Sequence, residues 1–457
     1  MGGIIDVGLG ALDATLVEVL LLAGVLFLMG GVDDLAVDLA WTRLRQPATR
    51  FEDLPEMPSR RLAVFVPAWD EAAVIGAMLA ATLGRYRHDD YRLYVGCYPN
   101  DHATIAAVEA VAREDARIRV VVGPRPGPTT KADNLNAMWQ ALCRDDAASG
   151  VSTAAVVLHD AEDVVDPDEL ALFDRLLGDY ALIQLPVVPL LDRKASLVSG
   201  TYADEFAESH GRGMVVRSAL GAAMPLAGVG CAIRRDALEA LAGADYAPFD
   251  PRSLTEDYEL GLRVAAAGLP ACFARVRTPG GRALIATRAY FPDRVATAVV
   301  QKARWMIGIS LAGWDRTGWG GRWRVSELWM RLRDRRAPLA VIALALGYAA
   351  LVATAASAIG HAWRATAAPV YGPGLRWLLV ANALLLAWRL AMRAWATGEV
   401  YGWVEGARAV PRAVVGNIVA MLAARRALVR YVKMLRGAPA IWDKTAHRFP
   451  DAIPHDG

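Results

Sequence analysis

Three clusters of residues in this sequence could carry chemistry. The first is His159-Asp160-Ala161-Glu162-Asp163. Carboxylates two positions apart at a strand end can face one hard cation, and Mg²⁺ or Mn²⁺ held that way keeps waters and takes further ligands from substrate phosphates. Without a cation, the same acidic loop is an ordinary solvated turn. The second cluster, Thr255-Glu256-Asp257, opens a helical stretch. The third is Gln301-Lys302-Ala303-Arg304-Trp305 on an amphipathic segment. There Gln301 shares a helix face with Arg304 and Trp305, because positions three and four apart are neighbours. Arginine offers a forked donor for phosphate oxygens, and tryptophan an apolar plate against which a sugar ring can rest. The same Arg-Trp pair would serve equally well as an interfacial membrane anchor.

These groups need a frame. Between residues 60 and 288, short apolar runs at 62–66, 93–97, 118–122, 154–158 and 182–185 alternate with amphipathic stretches. This alternation predicts a mostly parallel sheet with crossover helices, an α/β domain. Ligands on such sheets bind beyond the carboxyl ends of the strands. The polar residues stand there: Pro67-Ala68-Trp69-Asp70-Glu71 after the first run, Asn100-Asp101 after the second, and the 159–163 cluster after the fourth.

The 457 residues have room for two or three domains, and 55% hydrophobic residues with a mean hydropathy of +0.26 predict a membrane part. Fifty basic and 48 acidic residues give a net charge of +2, so no global basic field points to nucleic acid. Cys97, Cys143, Cys231 and Cys272 lie far apart, which argues against a disulfide framework or a zinc site and fits a reducing, cytosolic setting.

Residues 16–32 form a first membrane segment, followed by Arg43, Arg45 and Arg50. Basic flanks favour the cytoplasm, so the following domain is expected inside and the N-terminus in the periplasm. A cleaved signal peptide is disfavoured, since no basic region precedes the segment and no small-residue cleavage site follows it. Residues 338–360 are free of charge and long enough to span, with Arg331, Arg333, Arg335 and Arg336 before them. The apolar stretch 377–388 has only 12 residues; it spans if Arg376 and Arg389 or Arg393 snorkel, and otherwise is buried or re-entrant. Residues 412–425, with Arg426, Arg430, Lys433 and Arg436 beyond, read as an amphipathic helix on an anionic cytoplasmic surface, or as a solvated helix face. The expected division is a membrane helix and basic flank in 1–50, a cytoplasmic domain with interfacial helices in 51–336, membrane helices in 337–400, and an interfacial helix with a cytoplasmic tail in 401–457.

Read in order, Val66-Pro67-Ala68-Trp69-Asp70-Glu71, Asn100-Asp101, Lys131-Ala132-Asp133-Asn134-Leu135-Asn136, Asp160-Ala161-Glu162-Asp163, Thr255-Glu256-Asp257 and Gln301-x-x-Arg304-Trp305 resemble family 2 glycosyltransferases of GT-A fold, which include cellulose and hyaluronan synthases. A closer resemblance is to the bacteriophage adsorption protein B type of inner-membrane glycosyltransferase. It rests on Tyr98-Pro99-Asn100-Asp101, Arg125-Pro126-Gly127-Pro128-Thr129-Thr130-Lys131, the 159–163 cluster, Ser253-Leu254-Thr255-Glu256-Asp257-Tyr258 and Trp442-Asp443-Lys444-Thr445.

The resemblance implies a Rossmann-like GT-A domain in the bacterial inner membrane, using a UDP-sugar of the N-acetylmannosamine type and Mg²⁺ or Mn²⁺ to build a surface glycan. It sets Pro67, Asp70, Glu71 and Asp101 around uracil and ribose, with Lys131 and Asn134 near the nucleotide. Asp160 and Glu162 fall on the metal-binding positions; relatives often carry a second Asp where Glu162 stands, so Asp163 could share coordination. Asp257, beside Glu256, becomes the general base of an inverting transfer, Arg304 with the metal stabilises the leaving diphosphate, Gln301 belongs to the same catalytic motif, and Trp305 shapes the acceptor site. Glycan or lipid-linked acceptor, membrane lipids, an outer-membrane export partner and a separate cyclic di-GMP sensor are the implied partners. Two other functions stay open: transfer of a single sugar to a polyprenyl phosphate carrier, and a non-catalytic receptor or scaffold.

Overall fold

The computed structural model describes residues 2–192, 196–243, 246–320, 324–438 and 447–450. The Trp442-to-Thr445 motif lies outside them. The predicted strands form: β1 (Leu62–Pro67), β2 (Tyr91–Cys97), β3 (Ile118–Val122), β4 (Ala155–Leu158) and β5 (Leu182–Gln184). They are followed by β6 (Val187–Leu190), β7 (Cys231–Arg234), β8 (Ala271–Phe273) and β9 (Thr287–Tyr290). Seven make one sheet in the order β3-β2-β1-β4-β7-β5-β8, parallel except for β7, which runs against both neighbours. Side chains alternate across a strand, and β1 is buried on both faces: Leu62, Val64 and Val66 enter one apolar core, Ala63 and Phe65 the other. That double burial is why the first strand reads as an unbroken apolar run. In register, Phe65 faces Leu158, so the loops after β1 and β4 emerge side by side. A separate parallel pair, β6 with β9, flanks the sheet.

Nine helices matter for the site and its anchoring. They are α1 (Gly2–Leu44), α2 (Lys131–Ser149), α3 (Ser199–Glu208), α4 (Glu256–Ala266), α5 (Val295–Met306), α6 (Val325–Arg335), α7 (Ala337–Arg364), α8 (Pro373–Tyr401) and α9 (Trp403–Leu435). By length and composition α1, α7, α8 and α9 can each cross a membrane. The 43 residues of α1 reach roughly 65 Å at 1.5 Å per residue, about twice a hydrocarbon core. Its C-terminal third therefore projects beyond one and packs on the α/β domain: Trp41 donates to the Gly211 carbonyl at 3.1 Å, Arg212 pairs with Asp38 at 2.8 Å, and Trp329 of α6 donates to Asp33 at 2.6 Å.

Two segments are longer than their sequence suggests. The stretch 377–388 sits inside the 29-residue α8, which runs on through Arg389 and Arg393. Arg389 pairs with Glu208 and lies 3.6 Å from Asp34, and Arg393 lies 3.8 Å from both Asp204 and Glu208, so acidic partners on α1 and α3 neutralise charges that otherwise mark a helix end. Likewise 412–425 is the middle of the 33-residue α9. Arg412, 1% exposed, forks onto Asp204 of α3 at 2.7 and 3.0 Å. Further along, Val419 packs with Val198, Tyr202 and Ala298, while Ala423 and Ala427 pack with Ala303 and Ile307. Near its end Tyr431 donates to Asp315 at 2.5 Å. α9 thus touches the α/β domain from one end to the other.

Candidate active site

The loop after β1 is fixed by the loop after β2. Asp101 caps the helix His102–Ala112, accepting the Thr104 N–H at 3.2 Å with one oxygen, while its other accepts the Asp70 N–H at 2.5 Å. The Glu71 N–H donates to Thr104 Oγ1 at 2.9 Å. Asp70 is held at φ 53°, a left-handed conformation for a residue without glycine's freedom. Pro67, Asp70, Glu71 and Asp101 therefore form one ledge along the carboxyl ends of β1 and β2. Asn134 stands beside it, buried: it donates to the Gly96 carbonyl at 2.9 Å, which also accepts the Ala68 N–H at 2.8 Å, and so ties α2 to β2. A Cβ on Gly96 would lie 1.7 Å from Asn134 Oδ1, so only glycine admits the contact.

Next to the ledge, His159 is fully buried between two carboxylates, with Nδ1 2.9 Å from Asp163 and Nε2 2.7 Å from Glu169, which also accepts from Tyr86 at 2.6 Å. Burial alone would lower the imidazole pKa, but Glu169 and Asp163 outweigh it and push it up to about 10, so the ring is a cation with both N–H groups donating. The same Asp163 oxygen accepts the Asp160 N–H at 2.9 Å. That oxygen fixes the loop that presents Asp160 and Glu162, while Asp163 itself lines the cavity described below. Residues that hold a metal-binding loop in place in this way typically govern metal affinity by about 10–100-fold. His159→Gln is expected to weaken Mn²⁺ binding by about that factor, read from the free-ion paramagnetic resonance signal. An unchanged affinity would leave His159 a core residue only.

The cation position is richer than the sequence indicates. His447, from the chain beyond α9, puts Nδ1 2.7 Å from Glu71 and 3.2 Å from Glu162; the latter approach lacks hydrogen-bond alignment. One ligand atom from each of these three residues lies within 4.8 Å of the others. Burial pushes the Glu162 carboxyl up to about 8, opposed by His447 and reinforced by Asp160 and Asp163. Glu162 and Glu71 in turn hold the His447 imidazole up at about 9 against its burial. A crowd of carboxylates with one forced toward its neutral form is what a divalent cation would relieve. Asp160 faces the same cavity and pairs with Lys131.

That cavity, about 440 Å³, brings together most of the expected residues: Lys131, Asp160, Glu162, Glu256, Asp257 and Arg304 line it, with Asp163, Gln301, Trp305 and His447. Glu256 and Asp257 occupy the first turn of α4, where backbone N–H groups favour anions. Burial raises both carboxyls, Glu256 to about 7, with their mutual repulsion adding to Glu256 and Lys131 opposing the rise. Gly228, at φ 81°, lets the loop before β7 approach: a Cβ there would lie 2.4 Å from Asp257 Oδ2. From α5, Gln301 Oε1 and Arg304 Nε are buried without a hydrogen-bond partner among the described residues. Trp305 joins Tyr202 and Phe206 edge-on, at 6.0 and 6.5 Å between centroids.

Residues 58–308 match the family described as glycosyltransferase like family 2. The chain belongs to this family. It is 34% identical over 461 aligned positions to the bacteriophage adsorption protein B of Escherichia coli K12, and equally to the bacteriophage N4 adsorption protein B of Escherichia coli O157:H7. The alignment takes in 93% of this chain and 61% of each relative, so the chain spans about three fifths of the length of these curated proteins. Among solved structures, a mannosyltransferase from Pyrobaculum calidifontis in complex with GDP-mannose and Mn²⁺ superposes with a TM-score of 0.54 at 19% identity, covering 92% of this chain and 99% of that one. The shared architecture is the GT-A fold, a Rossmann-like α/β domain, here flanked by long apolar helices.

Proposed function

We propose that this family 2 glycosyltransferase transfers a sugar from a UDP-sugar to a glycan acceptor with inversion, at the cytoplasmic face of the bacterial inner membrane. The observation carrying this reading is the convergence of Asp257, Arg304, Asp160 and Glu162 on one cavity beside the strand ends. Asp257 takes the proton of the acceptor hydroxyl as that oxygen bonds the anomeric carbon, and the bond to the diphosphate breaks on the opposite face. Arg304, whose Nε lacks a protein partner among the described residues, faces the charge left on the diphosphate. Glu162 and His447, with Glu71 and with Asp160 beside them, would hold a divalent cation, which when bound supplies neutralisation of diphosphate charge. Pro67, Asp70, Glu71 and Asp101 form the nucleoside ledge, with Lys131 beside it.

In the membrane, α1, α7 and α8 span. α9 lies along the cytoplasmic surface, since it meets the α/β domain near both ends through Arg412 and Tyr431. Arg43 and Arg45 at the end of α1, and the arginines of α6 before α7, favour the inside.

UDP release by the full chain in detergent or nanodiscs, with UDP-sugars and GDP-mannose as donors and Mg²⁺ or Mn²⁺ added, tests this reading. Release from one UDP-sugar is expected, lost on chelation. Preference for GDP-mannose would reassign the donor, and release that persists in excess chelator would remove the cation. Because the base must be ionised and burial raises the Asp257 carboxyl, transfer should fall away on the acid side at a pH above that of an ordinary carboxylate. A profile flat from pH 5 to 8 would exclude it as the base.

A further inference from the structure

α4, which carries Glu256 and Asp257, starts without a side-chain cap. Thr255 stands at its N-cap, yet Thr255 Oγ1 is buried and has no hydrogen-bond partner among the described residues. A helix start is ordinarily held by the N-cap side chain, which accepts a backbone N–H two or three residues on. Here the hold runs through Ser253 instead. Its Oγ accepts the Thr255 N–H at 3.1 Å and donates to Glu259 Oε1 at 2.6 Å, and Glu259 stands one turn further along α4. Ser253 and Glu259 are both buried.

What fixes Glu259 comes from beyond Gln301, Arg304 and Trp305. α5 runs on into a π-helical turn, Ile307–Leu311, and then into a short helix, Ala312–Thr317. Turns of the π kind are rare and concentrate at functional sites. This one is pressed against the start of α4: a Cβ on Gly308 would lie 2.3 Å from Thr255 Oγ1, and one on Gly313 would lie 1.6 Å from the Gly308 carbonyl oxygen. The short helix then sets Arg316 on Glu259. Its Nε donates to the two carboxylate oxygens at 3.0 and 3.1 Å, while Nη2 donates to Oε1 and, at 3.4 Å, to Ser253 Oγ. Glu259 and Arg316 stand outside the lining of the catalytic cavity, to which Ser253, Thr255, Glu256 and Asp257 belong.

We infer that Arg316 is a positioning residue for the transfer step: through Glu259 and Ser253 it sets the first turn of α4, and with it the Asp257 carboxylate, against Arg304 on α5. This rests on the general-base reading above. The brace joins the helix that supplies the base to the helix that supplies the leaving-group cation, so the two groups keep one spacing while substrates come and go. A misplacement of about 1 Å between reacting groups can cost about 10²-fold in rate. The residue types fit the task. A guanidinium is a rigid fork that meets both oxygens of a carboxylate and keeps a hydrogen for a third acceptor, whereas an ammonium is a point charge that cannot span them. A serine hydroxyl accepts from the loop and donates to the helix at once.

The test is UDP release by the full chain in nanodiscs, with UDP-glucose, UDP-N-acetylglucosamine and UDP-N-acetylmannosamine as donors, in wild type, Arg316→Lys, Glu259→Gln and the double variant. Thermal midpoint and the number of UDP sites per chain are measured on the same samples. Each single variant is expected to lower kcat by about ten- to a hundredfold, with the donor KM unchanged and the UDP sites undiminished. The acid limb of the pH profile should remain, since Asp257 still titrates. Two members of one network lose little more together than apart, so the double variant should match the weaker single one. Full kcat in both single variants, a rate loss matched by a loss of UDP sites, or losses that multiply in the double variant would overturn the brace and leave the transferase reading standing. A wild type that binds UDP yet releases none from any donor would overturn the transferase reading, and the brace with it.

Discussion

Asp257→Asn lowers sugar transfer by roughly 10²–10⁴-fold, the range that a positioned general base supplies. The amide keeps the size of the carboxylate and can still accept the Tyr258 N–H that Asp257 accepts at 2.7 Å, so α4 keeps its first turn. It cannot take a proton from the acceptor hydroxyl. UDP affinity should hold, since the nucleoside ledge lies on β1 and β2, and the acid limb of the pH profile should vanish with the activity. A variant retaining most of its rate would move the base to Glu256, the other raised carboxyl in the cavity.

The second large effect is on stability. Arg412→Met leaves Asp204, which is fully buried, without its main partner. Breaking a buried pair on one side typically costs about 3–5 kcal/mol, because the surviving charge stays desolvated. Thr397, donating to Asp204 at 3.0 Å, and Arg393, 3.8 Å away, hold the loss toward the lower end. Thermal unfolding in detergent should show it as a clear fall in midpoint. Asp204→Leu in the same chain should restore much of that fall, as removing both charges often does. A single variant as stable as wild type would mean that Asp204 finds its charge balance elsewhere. The site tolerates no bulk: a Cβ on Gly200 would lie 2.5 Å from an Arg412 nitrogen.

The pair also shows where sequence reading stops. Strands buried on both faces announce themselves as apolar runs, and β1 to β5 appear within a few residues of where those runs stand. Residues after strand ends gather because register alone brings β1 and β4 level. Charged residues in long helices behave otherwise. Arg389, Arg393 and Arg412 look like helix boundaries along the chain, and become interior only through acids on α1 and α3 some 180 to 350 positions away. His447 is a stronger case. It meets Glu71 across 376 positions, and no spacing rule connects a lone histidine near the end to an acidic loop near the start. The hold of His159 on Asp163 escaped for a related reason: the two stand four positions apart in a loop, and nothing in the spacing says which way the carboxylate turns.

His447 follows in sequence a helix laid along the catalytic domain, with an apolar outer row that includes Val414, Ile418 and Leu422 exposed. Under the proposed function, a side chain of the cation site comes from the part of the chain beyond that helix.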